Sequence, residues 1–261
     1  MPAGMNFYQM MKVQTNKNCP ICGGTGWRPL EKDGLRAVEI CDCRRQQRER
    51  RLLERARIPR RYRGCDFESF DPLPESESLF FALGKARRFV EDYPSAKKGL
   101  LFLGQPGVGK THLTVAILKQ LMEQKGVECL FYPFQELLKQ IRDSYDPVSL
   151  STESQVLQPV LHTDVVAIDD LGANRISDWV EDTITYILNH RYNEQKTTLL
   201  TSNLPDTSEE LQGRSPSGKY RIGDTLEDRI GKRVRSRLYE MCEVVKIDAN
   251  DYRQTVLDHS H

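Results

Sequence analysis

The sequence predicts an α/β fold, a five-stranded parallel sheet with helices on both faces, built around a phosphate-binding loop. Three observations carry this. Short apolar runs alternate with amphipathic segments from about residue 64 onward, the pattern of strands joined by crossover helices. Residues Gly104, Gln105, Pro106, Gly107, Val108, Gly109, Lys110 and Thr111 spell G-x-x-x-x-G-K-T, and a strand-like run precedes them while a helix-like run follows. A second apolar run, 165–168, ends in two acids, Asp169 and Asp170.

The elements follow in order. Run 100–103 is the first strand, and Leu113, Ile117 and Leu121 at four-residue steps mark the helix after the loop. Gly126 ends that helix, 127–132 is a strand, 134–142 a helix, 144–153 a polar loop and 156–161 a short helix. The continuous apolar run 165–168 suits a strand buried on both faces. Segment 179–193 is amphipathic, with Val180, Ile184, Ile187 and Leu188 on one face. Run 198–201 is another buried strand, 208–223 is Gly- and Ser-rich loop, 224–241 a basic helix and 243–247 the last strand. Within the basic helix Arg229, Arg233 and Arg237 fall at i, i+4 and i+8, beside an apolar stripe of Leu226, Ile230, Val234 and Leu238.

Two segments precede this domain. Residues 1–43 carry Cys19 and Cys22 as C-x-x-C and Cys41 and Cys43 as C-x-C. Four thiolates so spaced suit one structural, tetrahedral Zn²⁺ in a small partner-contact module that needs the metal to fold; a redox pair and an iron–sulfur cluster are the alternatives. Cys65, Cys129 and Cys242 are scattered and read as packing residues. Residues 44–63 form an arginine-rich connector, helical up to Ile58-Pro59, with ten arginines against Glu49 and Glu54. That local charge suits nucleic-acid phosphates, and it equally suits a solvated helix or a docking surface. Residues 64–261 are the nucleotide domain. The chain's net charge is only +1. Its mean hydropathy is −0.57. No apolar run approaches the roughly 20 residues of a membrane span, and no signal peptide is evident at the N-terminus. The expectation is a cytoplasmic protein without a membrane partner, in a reducing compartment that suits clustered cysteines.

The motifs specify a chemistry. Glycines let backbone N–H groups cradle phosphate, and the helix starting near Lys110 points its positive end at the same anion. Lys110 reaches the β- and γ-phosphates of ATP, Thr111 ligates Mg²⁺ with Asp169, and His112 continues the nucleotide-contacting run. Asp170 stands where a water-polarising carboxylate belongs; it is one methylene shorter than Glu, so slow turnover is expected. Thr201-Ser202-Asn203 ends a central strand in the crevice where ligands bind, and Asn203 is placed to orient the attacking water, like the sensor-1 position of AAA+ ATPases.

Together these motifs resemble the DnaC/DnaI family of bacterial replicative helicase loaders, which are AAA+ ATPases. The resemblance spans residues 58–253 and rests on Ile58-Pro59-Arg60-Arg61-Tyr62, the loop 104–111, Asp169-Asp170-Leu171-Gly172-Ala173, Thr201-Ser202-Asn203 and Arg233-Val234-Arg235-Ser236-Arg237. The Asp-Asp-Leu-Gly-Ala form is most similar to the DnaI branch, which carries a zinc-binding N-terminal domain that contacts the helicase. The resemblance implies that Arg237 is an arginine finger acting on a neighbouring subunit, that Arg233 is an accessory basic residue at that shared site, and that chains self-associate through the ATP site. It implies a hexameric replicative helicase as partner. Only 14 residues follow Ile247, so no C-terminal lid domain is expected. An IstB-type transposition helper ATPase is the nearest alternative, and a small-molecule P-loop kinase is an alternative of another class.

Overall fold

A computed structural model of the chain describes residues 19–32, 35–72, 76–96, 98–145, 152–173, 177–207 and 225–252. The chain divides into two units between Leu52 and Leu53, inside the arginine-rich helix.

In the first unit, β1 (Trp27–Lys32) and β2 (Leu35–Ile40) pair antiparallel, Trp27 opposite Ile40 and Pro29 opposite Val38. Gly26 O accepts from Cys41 N at 2.9 Å, which brings the end of the hairpin back to the cysteine turn. Helix α1 (Asp42–Arg55) follows and buries none of its residues. It stops three residues short of the helix expected through Ile58. The backbone turns left-handed at Arg57 (φ 60°), and Ala56 O accepts from Phe131 N at 2.8 Å, so this stretch lies along a strand instead.

The second unit contains a five-stranded, wholly parallel sheet. Its strands are β3 (Gly99–Gly104), β4 (Cys129–Pro133), β5 (Val165–Asp169), β6 (Thr197–Ser202) and β7 (Cys242–Ile247), in spatial order β4-β5-β6-β3-β7. The helices are α2 (Glu77–Asp92), α3 (Lys110–Lys125), α4 (Phe134–Asp143), α5 (Glu153–His162), α6 (Asp178–Asn193) and α7 (Leu226–Met241). Alternation along β3 divides the two faces. Leu101 and Leu103 join the core formed with Leu137 and Ile141 of α4, Val160 of α5, Ile187 of α6 and Val234 of α7. Helices α2 and α3 pack together on the other face.

Local chemistry sets the ends of these helices. Helix α3 stops at Gly126 (φ 63°), where the amides of Gly126 and Val127 return to the carbonyls of Met122 and Leu121. Thr152 and Gln155 form a capping box on α5, and Thr225 and Asp228 form another on α7. The polar loop expected over 144–153 is therefore shorter: Glu153 is already helical, and 146–151 lie outside the described residues, as do 208–224.

The basic helix differs from the sequence expectation in one respect. Gly231 has φ 79° and ψ 155°, which breaks α7 into two pieces. The apolar stripe stays buried across the break, but Arg229 lies before it and Arg233 and Arg237 after it. The three arginines therefore do not form one continuous helical row.

Candidate nucleotide site and cysteine cluster

The parallel sheet collects the predicted nucleotide residues at its C-terminal end. Strand β3 runs into the loop 104–111, β5 ends at Asp169 and β6 ends at Ser202. Gly107 (φ 83°) and Gly109 (φ 91°) adopt a conformation that L side chains rarely take. Neighbours also fill the space a Cβ would need: at Gly107 it would lie 1.7 Å from the Asp251 carboxylate, and at Gly109 2.6 Å from the Phe70 ring. Lys110 is buried, and its Nζ donates to the carbonyls of Gly104 and Gln105 at 2.8 and 2.7 Å. His112 is drawn the other way; its Nε2 lies 2.7 Å from Asp66 O and its ring packs edge-on to Phe70. With Ser69, Val108, Asn250 and Tyr252, Phe70 and His112 line a small cavity beside the loop.

The acids are linked into one network. Asp169, 3% exposed, accepts from Thr111 Oγ1 at 2.9 Å and from Thr201 Oγ1 at 2.7 Å. Burial pushes its carboxyl above the ordinary range, against the hydrogen bond from Thr201, and the charge of Asp170 pushes the same way as burial. A site that makes this carboxylate costly to ionise suits a cation that would share the charge. Asp170 sits at φ 59°, uncommon for a non-glycine residue. It is held there from both ends: its amide donates to Thr201 Oγ1 at 2.9 Å, and its Oδ1 accepts from Asn203 Nδ2 at 2.7 Å.

Lys110, Thr111, Asp169, Asp170 and Asn203 thus meet at one end of the sheet. Arg237 does not join them. Its Nε donates to Asn189 Oδ1 at 3.0 Å, its Nη1 to Glu240 Oε2 at 2.6 Å, and its guanidinium stacks on Tyr192, 4.5 Å from the ring centre. Asn189 and Tyr192 lie near the C-terminal end of α6, before the chain enters β6, and α7 leads into β7 at Cys242, opposite Gly99. Arg237 therefore points toward the ends where β6 and β7 begin, away from the phosphate loop. Exposed Arg233 lines a groove there with Arg237, Lys232 and Thr185.

Thr201 and Tyr62 belong to motifs read from the sequence, but their contacts, like that of Asp251, were not. Thr201 bridges the two acids, though its hydroxyl resembles any strand-end threonine. Tyr62 stands beside the site, where burial raises its phenol above the ordinary value and the charge of Asp169 adds to that. Asp251 reaches Gly107 from the end of the described chain, and no local pattern signals this.

A family model described as "IstB-like ATP binding protein" matches residues 41–259. The chain belongs to this IstB-like ATP-binding family. Among its relatives is the phage-like element PBSX protein XkdC of Bacillus subtilis (strain 168), 28% identical over 234 residues, covering 86% of this chain and 79% of that protein. The replicative helicase loader DnaC of Escherichia coli (strain K12) is 26% identical over 197 residues, covering 75% and 79%. The solved structure described as the DnaC helicase loader superposes with a TM-score of 0.61 at 35% identity, covering 73% of this chain and all of that one. The fold of the family member described here is thus the DnaC-like AAA+ fold. No helix among its described residues is long and apolar enough to cross a membrane.

In the N-terminal unit, Cys19, Cys22, Cys41 and Cys43 place their four sulfurs within 4.8 Å of one another. Cys19 and Cys41 sulfurs are 3.8 Å apart, and those of Cys22 and Cys43 3.5 Å. A tetrahedron of thiolates around zinc has edges of about 3.8 Å, from Zn–S bonds of about 2.3 Å, so the cluster fits a metal ion. Burial pushes the Cys22 thiol up, but hydrogen bonds from the Gly26 amide and the Cys43 thiol outweigh it and bring Cys22 down to about 6. Burial and the neighbouring Cys22 sulfur push Cys43 in the opposite direction. A sulfur that ionises readily within a cluster of four suits a cation, because the thiolate is the form that binds metal. Cys129 and Cys242 are buried in the other unit and Cys65 is half-buried there.

Proposed function

We propose that this chain is an ATP-dependent loader that delivers a hexameric replicative helicase onto single-stranded DNA. The observation that carries the reading is the sheet's polarity. A full set of nucleotide residues sits at one end and a candidate finger, Arg237, at the other, in a chain similar to DnaC. On this reading residues 104–111 hold the phosphates of ATP, with His112 alongside. Thr111 and Asp169 hold Mg²⁺, which would neutralise charge on the β- and γ-phosphates. Asp170 polarises the attacking water and Asn203 fixes that carboxylate. Arg237 completes the site of a neighbouring chain, with Arg233 as an accessory, so ATP promotes assembly and its hydrolysis promotes release.

The cysteine module, stabilised by zinc, is the helicase-contact element. Its hairpin offers an apolar face of Trp27, Pro29, Val38 and Ile40, with Val38 68% exposed. For single-stranded DNA, the arginines of α1 supply charge. Tyr145, half exposed and edge-on to Trp179, together with Arg142 stacked 5.0 Å over Trp179, supplies a surface on which bases can stack.

A pull-down of full-length protein with the replicative helicase tests the reading. Capture is expected, with Lys110→Ala losing ATP binding and hydrolysis. Failure of the helicase to bind in any nucleotide state removes the loader role. The family match favours one second reading, an IstB-type transposition helper, and capture of a transposase in the same experiment would support it.

A further inference from the structure

The loop after β6 makes two connections within four residues. At its start Asn203 holds Asp170. At its end Asp206, 2% exposed, receives the fork of Arg235: Nε donates to Oδ1 and Nη2 to Oδ2, both at 2.8 Å. The Tyr239 hydroxyl donates to the same carboxylate. The Arg235 guanidinium also stacks on Tyr239, 4.8 Å from the ring centre, and its remaining nitrogen stands 3.5 Å from Glu227. Between Asn203 and Asp206, Pro205 O accepts from Leu226 N at 2.8 Å, tying the loop to the start of α7 as well.

Arg235 sits on the piece of α7 beyond the break at Gly231, between Arg233 and Arg237. That piece has its own direction because Gly231 interrupts the helical ladder. The Arg237 contacts with Glu240 and Asn189 are partly exposed, and exposed pairs hold a side chain weakly. The Asp206–Arg235 fork is bidentate on a buried carboxylate, the geometry in which an arginine–carboxylate pair is most directional.

We propose that Asp206 and Arg235 are positioning residues for Arg237. The fork fixes the arm of α7 beyond Gly231 to the loop that carries Asn203, so a chain presents its arginine to a neighbour in register with the state of its own ATP site. The proposal rests on the reading of Arg237 as acting on a neighbouring chain, and its test separates the two.

The test measures specific ATPase activity of the full chain against its concentration, for parent, Arg237→Ala, Arg235→Gln and the double variant Asp206→Asn/Arg235→Gln. The double variant leaves no buried unpaired charge and guards against misfolding. Both fork variants should bind ATP within about twofold of the parent, yet lose roughly tenfold or more of the concentration-dependent activity, as loss of an arginine finger does. Adding Lys110→Ala chains, inactive themselves but with Arg237 intact, should restore most of this loss in the fork variants and in Arg237→Ala alike. Rescue of Arg237→Ala without rescue of the fork variants would mean that the fork serves its own chain's site, and would overturn the proposal. Parent-like activity of the fork variants would overturn it too. Parent-like activity of Arg237→Ala would remove the neighbouring-chain reading and the proposal with it.

Discussion

At the scale of single residues, the site is a set of groups that each lose something by being there. Asp169 is buried with a carboxyl that burial pushes upward, Asp170 is held left-handed, and two loop glycines stand in conformations and spaces closed to other residues. Such costs concentrate where function requires them. A carboxylate raised in the folded state contributes stability that is present below its unfolded pKa and lost as pH rises through the folded one. At neutral pH Asp169 therefore destabilises the protein free of Mg²⁺ and ATP. Asp169→Asn, still able to accept from Thr111 and Thr201, should raise the thermal midpoint of the nucleotide-free protein while abolishing Mg²⁺-dependent hydrolysis. Thermal melts of the nucleotide-free protein and a Mg²⁺-dependent ATPase assay check the two halves, and a lowered midpoint would contradict the strain argument. Lys110, Thr111, Asp169, Asp170 and Asn203 were legible in the sequence because they occupy fixed offsets from strand ends. The particular contacts of Tyr62, Thr201 and Asp251 were not, since each is made through tertiary packing.

At the scale of elements, strand and helix alternation was readable almost throughout, because strands buried on both faces leave continuous apolar runs such as 165–168. The basic helix shows the limit of such reading. A periodicity count passes over Gly231 unaware that the backbone there enters a region open essentially to glycine alone. The connector helix ended early for a related reason: Ala56 found a strand-like partner in Phe131 that no helical pattern announces. Two outcomes follow for α7. Gly231→Ala should cost on the order of 1–3 kcal/mol in denaturant unfolding, since a Cβ there would lie 2.5 Å from the Glu181 carboxylate; parent-like stability would mean the break relaxes freely. The Asp206 carboxyl is pushed up by burial, but hydrogen bonds from Arg235 and Tyr239 outweigh this and hold it below its ordinary value. A depressed carboxylate gives stability that is present above its unfolded pKa and lost as pH falls through the folded one. The thermal midpoint should therefore fall as pH drops below about 4, and Asp206→Asn should flatten that dependence. An unchanged acid profile in the variant would remove Asp206 as a contributor.

At the scale of the whole molecule, two units with different sources of stability share one chain. The cysteine unit has a hairpin and a cluster of four sulfurs for a core, whereas the larger unit buries both faces of a parallel sheet. Chelation of the metal should therefore abolish order in the small unit and leave the ATP-binding unit folded. The expected readouts are about one zinc per purified chain and a chelator-treated protein that still binds ATP but no longer captures the helicase. Loss of ATP binding on chelation would contradict the independence of the two units. The parallel sheet has a further consequence through its polarity. If Arg237 acts on a neighbouring chain as proposed, two copies could not complete each other's sites by facing symmetrically and would stack head to tail. An open stack always has one more chain than it has finished junctions. On that reading its terminal ATP site would lack an arginine, and that chain would act as a cap whose turnover differs from the rest. Only closure into a ring would remove the odd end, so the ratio of fast to slow sites in solution would count the length of such an assembly.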